Sequence, residues 1–269
     1  MTEQPESRFH DKGVVVTGAG RGIGRALATR MAAEGARVVV NDLDPATARA
    51  VADEIGGTAV PGDASSADGV RALVDTATQA LGRIDVYFAN AGIDGATGID
   101  SLQTDDAHWE RILDVNVMAH VRAARALVPT WLETGGGRFV VTASAAGLLT
   151  MIGSAPYSVT KHAAVGFAEW LSVTYGHRGI TVQAICPQGV RTKMLDDAGP
   201  LQELLSKDSA LEPEQVADAF VASLEDDRFL VLPHPEVAGY YAARATDTDR
   251  WLAGMRRLQR KLDESGALP

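Results

Sequence analysis

Cysteine is almost missing from this chain. Among 269 residues there is one, Cys186, so no disulfide can form within it. It stands in an apolar run, 180–186, just before Pro187, a setting that suits a buried thiol better than a nucleophile. Long apolar runs are missing too. None approaches the roughly 20 residues of a membrane span, and the polar first dozen residues hold no apolar secretion core. The cytoplasm is the expected compartment, with no membrane partner. Positive charge is scarce: 25 Lys and Arg face 35 Asp and Glu, a formal net charge of −10. That argues against a nucleic-acid partner, which needs a basic surface. It still allows one anionic ligand held locally by backbone N–H groups. The six histidines show no metal-ligand spacing, and no metal is expected. There is no Pro/Ser-rich linker, internal repeat or low-complexity segment.

What is present is alternation. Short apolar strands are expected at 13–17, 37–41, 58–60, 84–89, 138–143, 180–186 and 229–232. Helical stretches separate them, at 45–55, 66–81, 105–132, beyond Lys161, and at 213–224. Strand and helix in turn imply α/β architecture: a doubly wound parallel sheet of about seven strands with helices on both faces. The expected organisation is a loose tail over 1–11 and one domain over 12–269. Within that domain, 191–212 is read as a substrate loop and 247–263 as a helical tail. In the tail, Trp251, Met255, Leu258 and Leu262 share a face, which suits packing on the domain or on a neighbouring subunit.

The first strand runs into Gly18-Ala-Gly-Arg21-Gly22-Ile23-Gly24 and then into a helix. A glycine turn there lets N–H groups and a helix N-terminus approach a pyrophosphate. The second strand ends at Asp42, followed by Leu43, about 20 residues after the glycines, where a carboxylate accepts ribose hydroxyls. Its charge repels a 2′-phosphate, which favours NAD over NADP. Arg21 pulls weakly the other way. The fourth strand delivers Asn90, Ala91 and Gly92 to the point where the crossovers switch faces.

Tyr157 and Lys161 lie four apart, one helical turn on a shared face. A phenol titrates near ~10; a neighbouring ammonium lowers that value, which makes the pair a plausible general acid/base. With five Tyr and five Lys in the chain, one such pair arises by accident about one time in ten, so its weight comes from its company.

That company resembles the short-chain dehydrogenase/reductase family. The matching residues are the glycine turn from Thr17, Asn90-Ala91-Gly92, Asn116, Ser144, Tyr157-x-x-x-Lys161 and Pro187-Gln-Gly-Val-Arg-Thr192. The resemblance covers about 9–232. It implies a sheet in the order 3-2-1-4-5-6-7, a nicotinamide cofactor, and a homo-oligomer, dimer or tetramer. By the same resemblance, Tyr157 is the acid/base and Ser144 orients the substrate oxygen. Lys161 lowers the phenol pKa and holds the nicotinamide ribose, while Asn116 holds a water in a proton relay. Asp63 and Ala64 border the adenine; Pro187, Gly189, Val190 and Thr192 touch the nicotinamide. Gln188 stands where the family's second motif residue is a glycine, and the last strand lacks the family's glycine-rich end.

The reading is therefore an NAD-dependent oxidoreductase acting on a secondary alcohol or ketone. Ile93, Asp94, Leu149, Met151, Ile152, Gln188, Met194 and Leu195 are the candidate substrate contacts. An NADPH-dependent carbonyl reductase and a catalytically idle nucleotide sensor are the alternatives. An epimerase or dehydratase is a third reading; by the same resemblance, relatives of that kind usually carry a larger C-terminal substrate domain than the stretch after Val190 is expected to form.

Overall fold

The computed structural model describes residues 7–94, 101–197 and 210–264. The first apolar run forms β1 (Gly13–Val16), buried throughout. Side chains alternate across a strand. Val15 therefore joins one core cluster, while Val14 and Val16 join the other. Both faces of the sheet are covered, which is why the run is apolar without alternation. Following β1 come α1 (Gly22–Ala33), β2 (Arg37–Val40), α2 (Pro45–Ile55), β3 (Thr58–Ala59), α3 (Ala67–Leu81) and β4 (Val86–Ala89). In β4 the split recurs, Tyr87 and Ala89 to one cluster and Val86 and Phe88 to the other.

The sheet order is β3-β2-β1-β4, continued by β5 (Gly137–Thr142), β6 (Ile180–Ile185) and β7 (Leu230–Val231), all parallel. This is the seven-stranded order the resemblance implies. Val16 pairs with Val40 on one side and Phe88 on the other, so β1, β2 and β4 finish at one level. Their following loops open on a single edge. The chain leaves β1 for β2 and later crosses back to β4, and a crevice forms between β1 and β4.

Local signals set the helix ends. Asp44 caps α2 by accepting from Ala46 N, Pro45 opens its first turn, and Gly56 ends it at φ 66°. Ser66 accepts from Gly69 N at the start of α3.

Three differences from the sequence reading stand out. The single helix expected over 105–132 is broken into α4 (Asp106–Leu113), a π-helical turn (Asp114–Met118) and α5 (Ala119–Glu133). The loose tail expected over 1–11 is not loose at its inner end. Phe9 there is buried and packs on Phe220 of α8 (Pro213–Ala222), ring centres 6.3 Å apart. Residues 1–6 of that tail, and most of the proposed substrate loop (198–209), lie outside the described residues. Between β5 and α8 stand α6 (Ala155–Tyr175) and the short α7 (Lys193–Asp196). Beyond β7 the sequence reading has one tail helix, whereas the structure has two: α9 (Glu236–Thr246) and α10 (Thr248–Glu264).

Candidate active site

The glycine turn is built by close approach. Gly18 (φ +61°) lies against Ala91: a Cβ on it would meet Ala91 Cα at 2.9 Å. A Cβ on Gly24 would sit 2.2 Å from Gly18 O and 2.5 Å from Asn90 Nδ2. Gly22 (φ +55°) borders Thr192, whose Cγ2 is 3.1 Å from where its Cβ would be. Three loops, after β1, β4 and β6, thus meet at these glycines. Thr17, which the sequence places only at the head of the glycine turn, ties two of them. Its Oγ1 accepts from Asn90 N and Ala91 N at 3.0 Å each. Asn90 Nδ2 returns a bond to Thr17 O at 2.8 Å.

Asp42 follows β2 as expected, and Gly20 N donates to its Oδ2 at 2.9 Å while Asp44 N donates to Oδ1 at 3.0 Å. Each carboxylate oxygen keeps a lone pair for another donor. Asp63 lies nearby in the loop after β3. Burial works against its charge, but hydrogen bonds from Ser65 and Ser66 prevail and hold the carboxyl below its ordinary value.

Tyr157 sits in the first turn of α6 and Lys161 one turn on. The Lys161 Nζ lies 5.5 Å from the centre of the Tyr157 ring and donates to Thr142 O at 2.9 Å. The Ser144 hydroxyl reaches Pro187 O at 3.4 Å and accepts from Ala146 N at 3.1 Å. Burial, offset in part by the neighbouring Ser144 hydroxyl and reinforced by Asp94, leaves the Tyr157 phenol raised to about 12. The lowering expected from Lys161 therefore does not dominate. The lysine is itself buried, which brings its own pKa down to about 8. Cys186, behind them, is raised to about 12 by burial, which makes it a poor nucleophile.

The π turn carries Asn116 inward, fully buried. Its Oδ1 accepts from Ile93 N at 2.9 Å, and its Nδ2 donates to Ile93 O at 2.9 Å and to Thr160 Oγ1 at 3.1 Å. Gly92 lies above: a Cβ there would stand 3.3 Å from Asn116 Oδ1 and 3.5 Å from Lys161 Nζ. π turns recur at functional sites because they displace a residue from helical register.

These residues border one cavity of about 1610 Å³. That exceeds the roughly 300–1,000 Å³ of a drug-sized ligand's pocket. Gly18, Arg21, Gly22, Ile23, Gly24, Asp42, Leu43, Asp63 and Ala64 line one arm. Asn90, Ala91, Gly92, Ser144, Tyr157, Lys161, Pro187, Gly189, Val190 and Thr192 line its middle. All eight candidate substrate contacts, Gln188 included, line it as well. Of the predicted site residues only Asn116 stands behind the wall. Tyr240, Trp251, Met255 and Leu258 line it too, from the two tail helices. The ends of the 191–212 segment are pinned, Val190 bridging Leu211 and Arg191 pairing with Glu212 at 2.9 Å.

Glycines leave open the space a dinucleotide's phosphates would need, and Asp42 offers carboxylate oxygens beside it; the residues fit such a group. The family model described as short chain dehydrogenase matches residues 12–202. The chain is 32% identical over 239 residues to the cyclohexanol dehydrogenase of Acinetobacter sp. (strain SE19), covering 86% of this chain and 94% of that relative. A short-chain dehydrogenase/reductase from Burkholderia phymatum, solved in complex with NAD, superimposes with a TM-score of 0.82 at 28% identity, over 90% of this chain and 95% of that one. A 7α-hydroxysteroid dehydrogenase, solved with NADH and 7-oxo glycochenodeoxycholic acid, gives a TM-score of 0.76 at 27% identity, over 86% and 96% of the two chains.

Proposed function

The chain belongs to the short-chain dehydrogenase/reductase family, an oxidoreductase acting on CH–OH groups, and on that premise we propose that it interconverts an apolar, ring-bearing secondary alcohol and its ketone with NAD. The observation that carries this reading is the meeting, in one cavity, of Ser144, Tyr157 and Lys161 with the glycine turn and Asp42.

The N-terminus of α1 with Gly18, Gly22 and Gly24 would take the pyrophosphate. Asp42 would accept the ribose hydroxyls and repel a 2′-phosphate; Arg21, Ile23, Leu43, Asp63 and Ala64 would flank it. Asn90, Ala91, Gly92, Pro187, Gly189, Val190 and Thr192 would border the nicotinamide. When bound, that ring supplies or accepts the hydride. Tyr157 gives or takes the hydroxyl proton, and Ser144 donates to the substrate oxygen as charge develops on it. Lys161, largely charged at neutral pH with a pKa of about 8, favours the phenolate. Asn116 holds Ile93 and Thr160 in place, and so the floor beneath Lys161, where we put the water-linked proton path.

On the substrate side Leu149, Met151, Ile152, Met194 and Leu195 present apolar surface. The names of two similar proteins, a cyclohexanol dehydrogenase and a hydroxysteroid dehydrogenase, support a cyclic alcohol. Association of identical subunits would use the outer face of α6, where Val159, Trp170 and Val173 are exposed.

In the test, NADH formation is followed over a panel of cyclic, sterol, aliphatic and sugar alcohols. Tyr157→Phe is expected to lose turnover by a factor of at least about 100 while NADH still binds, and the parent should favour NAD over NADP. Full activity in that variant would falsify the assignment.

A further inference from the structure

The 17 residues of α10 include none that is buried. Trp251, Met255 and Leu258 recur at one-turn and two-turn intervals, so they share a face, and all three line the cavity that holds Tyr157. Each is half-buried. Arg256, Arg257 and Arg260 are exposed, and helical spacing puts them on the opposite side, with the exposed Lys261 on its flank. An amphipathic helix of this length normally seals its apolar face against protein; here that face borders open cavity.

The helix is also anchored. From α9, the Arg244 guanidinium lies 5.2 Å from the Trp251 ring. The same side chain bonds the carbonyls of Leu148 and Leu149, just beyond Ser144, and meets His162 Nε2 at 3.0 Å, next to Lys161 in sequence. Arg244 therefore fixes the position of Trp251 relative to the residues around Ser144 and Lys161. Both tail helices lie beyond the stretch 12–202 matched by the family model, so this wall comes from the rest of the chain.

Building on the oxidoreductase reading, we propose that the Trp251–Met255–Leu258 face of α10 is the distal wall of the substrate pocket. It sets the size of alcohol accepted by packing against the ring system farthest from the reacting carbon. A bulky fused-ring alcohol reaches this wall; a single small ring does not.

The probes are cyclohexanol and the fused bicyclic decahydro-2-naphthol, with kcat and KM measured for each. In Trp251→Ala the ratio of kcat/KM for the bicyclic to that for the monocyclic alcohol should fall about tenfold, mostly through KM, the scale of one apolar group in a pocket. NADH affinity should hold. Met255→Trp adds bulk and should move the two KM values in opposite directions, raising that of the bicyclic alcohol, which a loss of folding cannot do. A ratio within about twofold of the parent in Trp251→Ala, or KM values that move together in Met255→Trp, would overturn the wall. Calorimetry with 2-decalone in the presence of NAD, with which the ketone cannot react, separates the two readings. Parent protein that binds the ketone but oxidises neither alcohol sinks the oxidoreductase reading. The wall then stands if Trp251→Ala weakens that binding about tenfold. It falls if binding is unchanged, or if the parent binds no ketone.

Discussion

Lys161 is charged on an exposed chain at neutral pH but sits almost wholly buried in the fold, which lowers its pKa from 10.5 to about 8. The direction fixes a pH effect on stability. Between those two values the unfolded chain holds a proton that the folded chain has released, so stability rises with pH across that window. Below about 8 both states are charged and the burial cost is present in full. Lys161→Met lacks this group. Urea unfolding of parent and variant should therefore converge by on the order of 3 kcal/mol in the variant's disfavour between pH 8 and pH 10.5. A constant difference across that range would refute the buried, shifted lysine. Helical period puts Tyr157 and Lys161 on one face, and the company of the glycine turn, Asn116 and Ser144 made the pair legible in the sequence. The bonds made by Thr17 and Gly20 were not legible. They act through backbone atoms of distant loops, and no spacing rule reports which N–H meets which oxygen.

At the scale of elements, α8 joins parts of the chain that are distant in sequence. Phe220 is fully buried between Phe9 and Phe88, its ring 4.9 Å from that of Phe88 in an edge-on arrangement. It binds the start of the chain and the central sheet to one helix. Phe220→Ala should cost about 3–5 kcal/mol, read from urea or thermal unfolding; a loss below about 1 kcal/mol would mean that the site collapses around the gap. Fully apolar strands such as β1 and β4 were legible, since burial on both faces writes itself as an unbroken apolar run. The π turn was not. Its residues continue a helical pattern, and the bonds Asn116 makes from it reach Ile93 in a distant loop, which no local signal reports. Nor was α9, which buries only Val237 and so carries no apolar period to detect.

Across the whole molecule, the outer side of α6 is the conspicuous uncovered surface. Val173 is 82% exposed, Trp170 54% and Val159 49%. These positions recur near whole turns and form one apolar strip. Trp170→Glu with Val173→Glu should convert an assembled protein into a smaller species in sedimentation velocity, with NADH binding kept. A parent that already sediments as a single chain would remove this reading. The sheet order was legible as a consequence of strand–helix alternation joined to the family resemblance. The cavity's far wall was not, because Trp251 looks in sequence like any helix residue seeking a core. Only the tether through Arg244 aims it at the residues around Ser144.

The bond from Gly20 to Asp42 has a consequence for anyone who would retune the cofactor. Under the NAD reading proposed above, the carboxylate that selects the nucleotide is the same one that fastens the glycine turn. A Cβ at Gly20 would lie 2.8 Å from Asp42 Oδ2 and 2.4 Å from Thr47 Oγ1, so the turn has no slack to refasten itself. Selectivity and loop rigidity are thus inherited together. A single exchange at position 42 trades one for the other, and a clean switch of preference requires a second residue to restore an acceptor for Gly20.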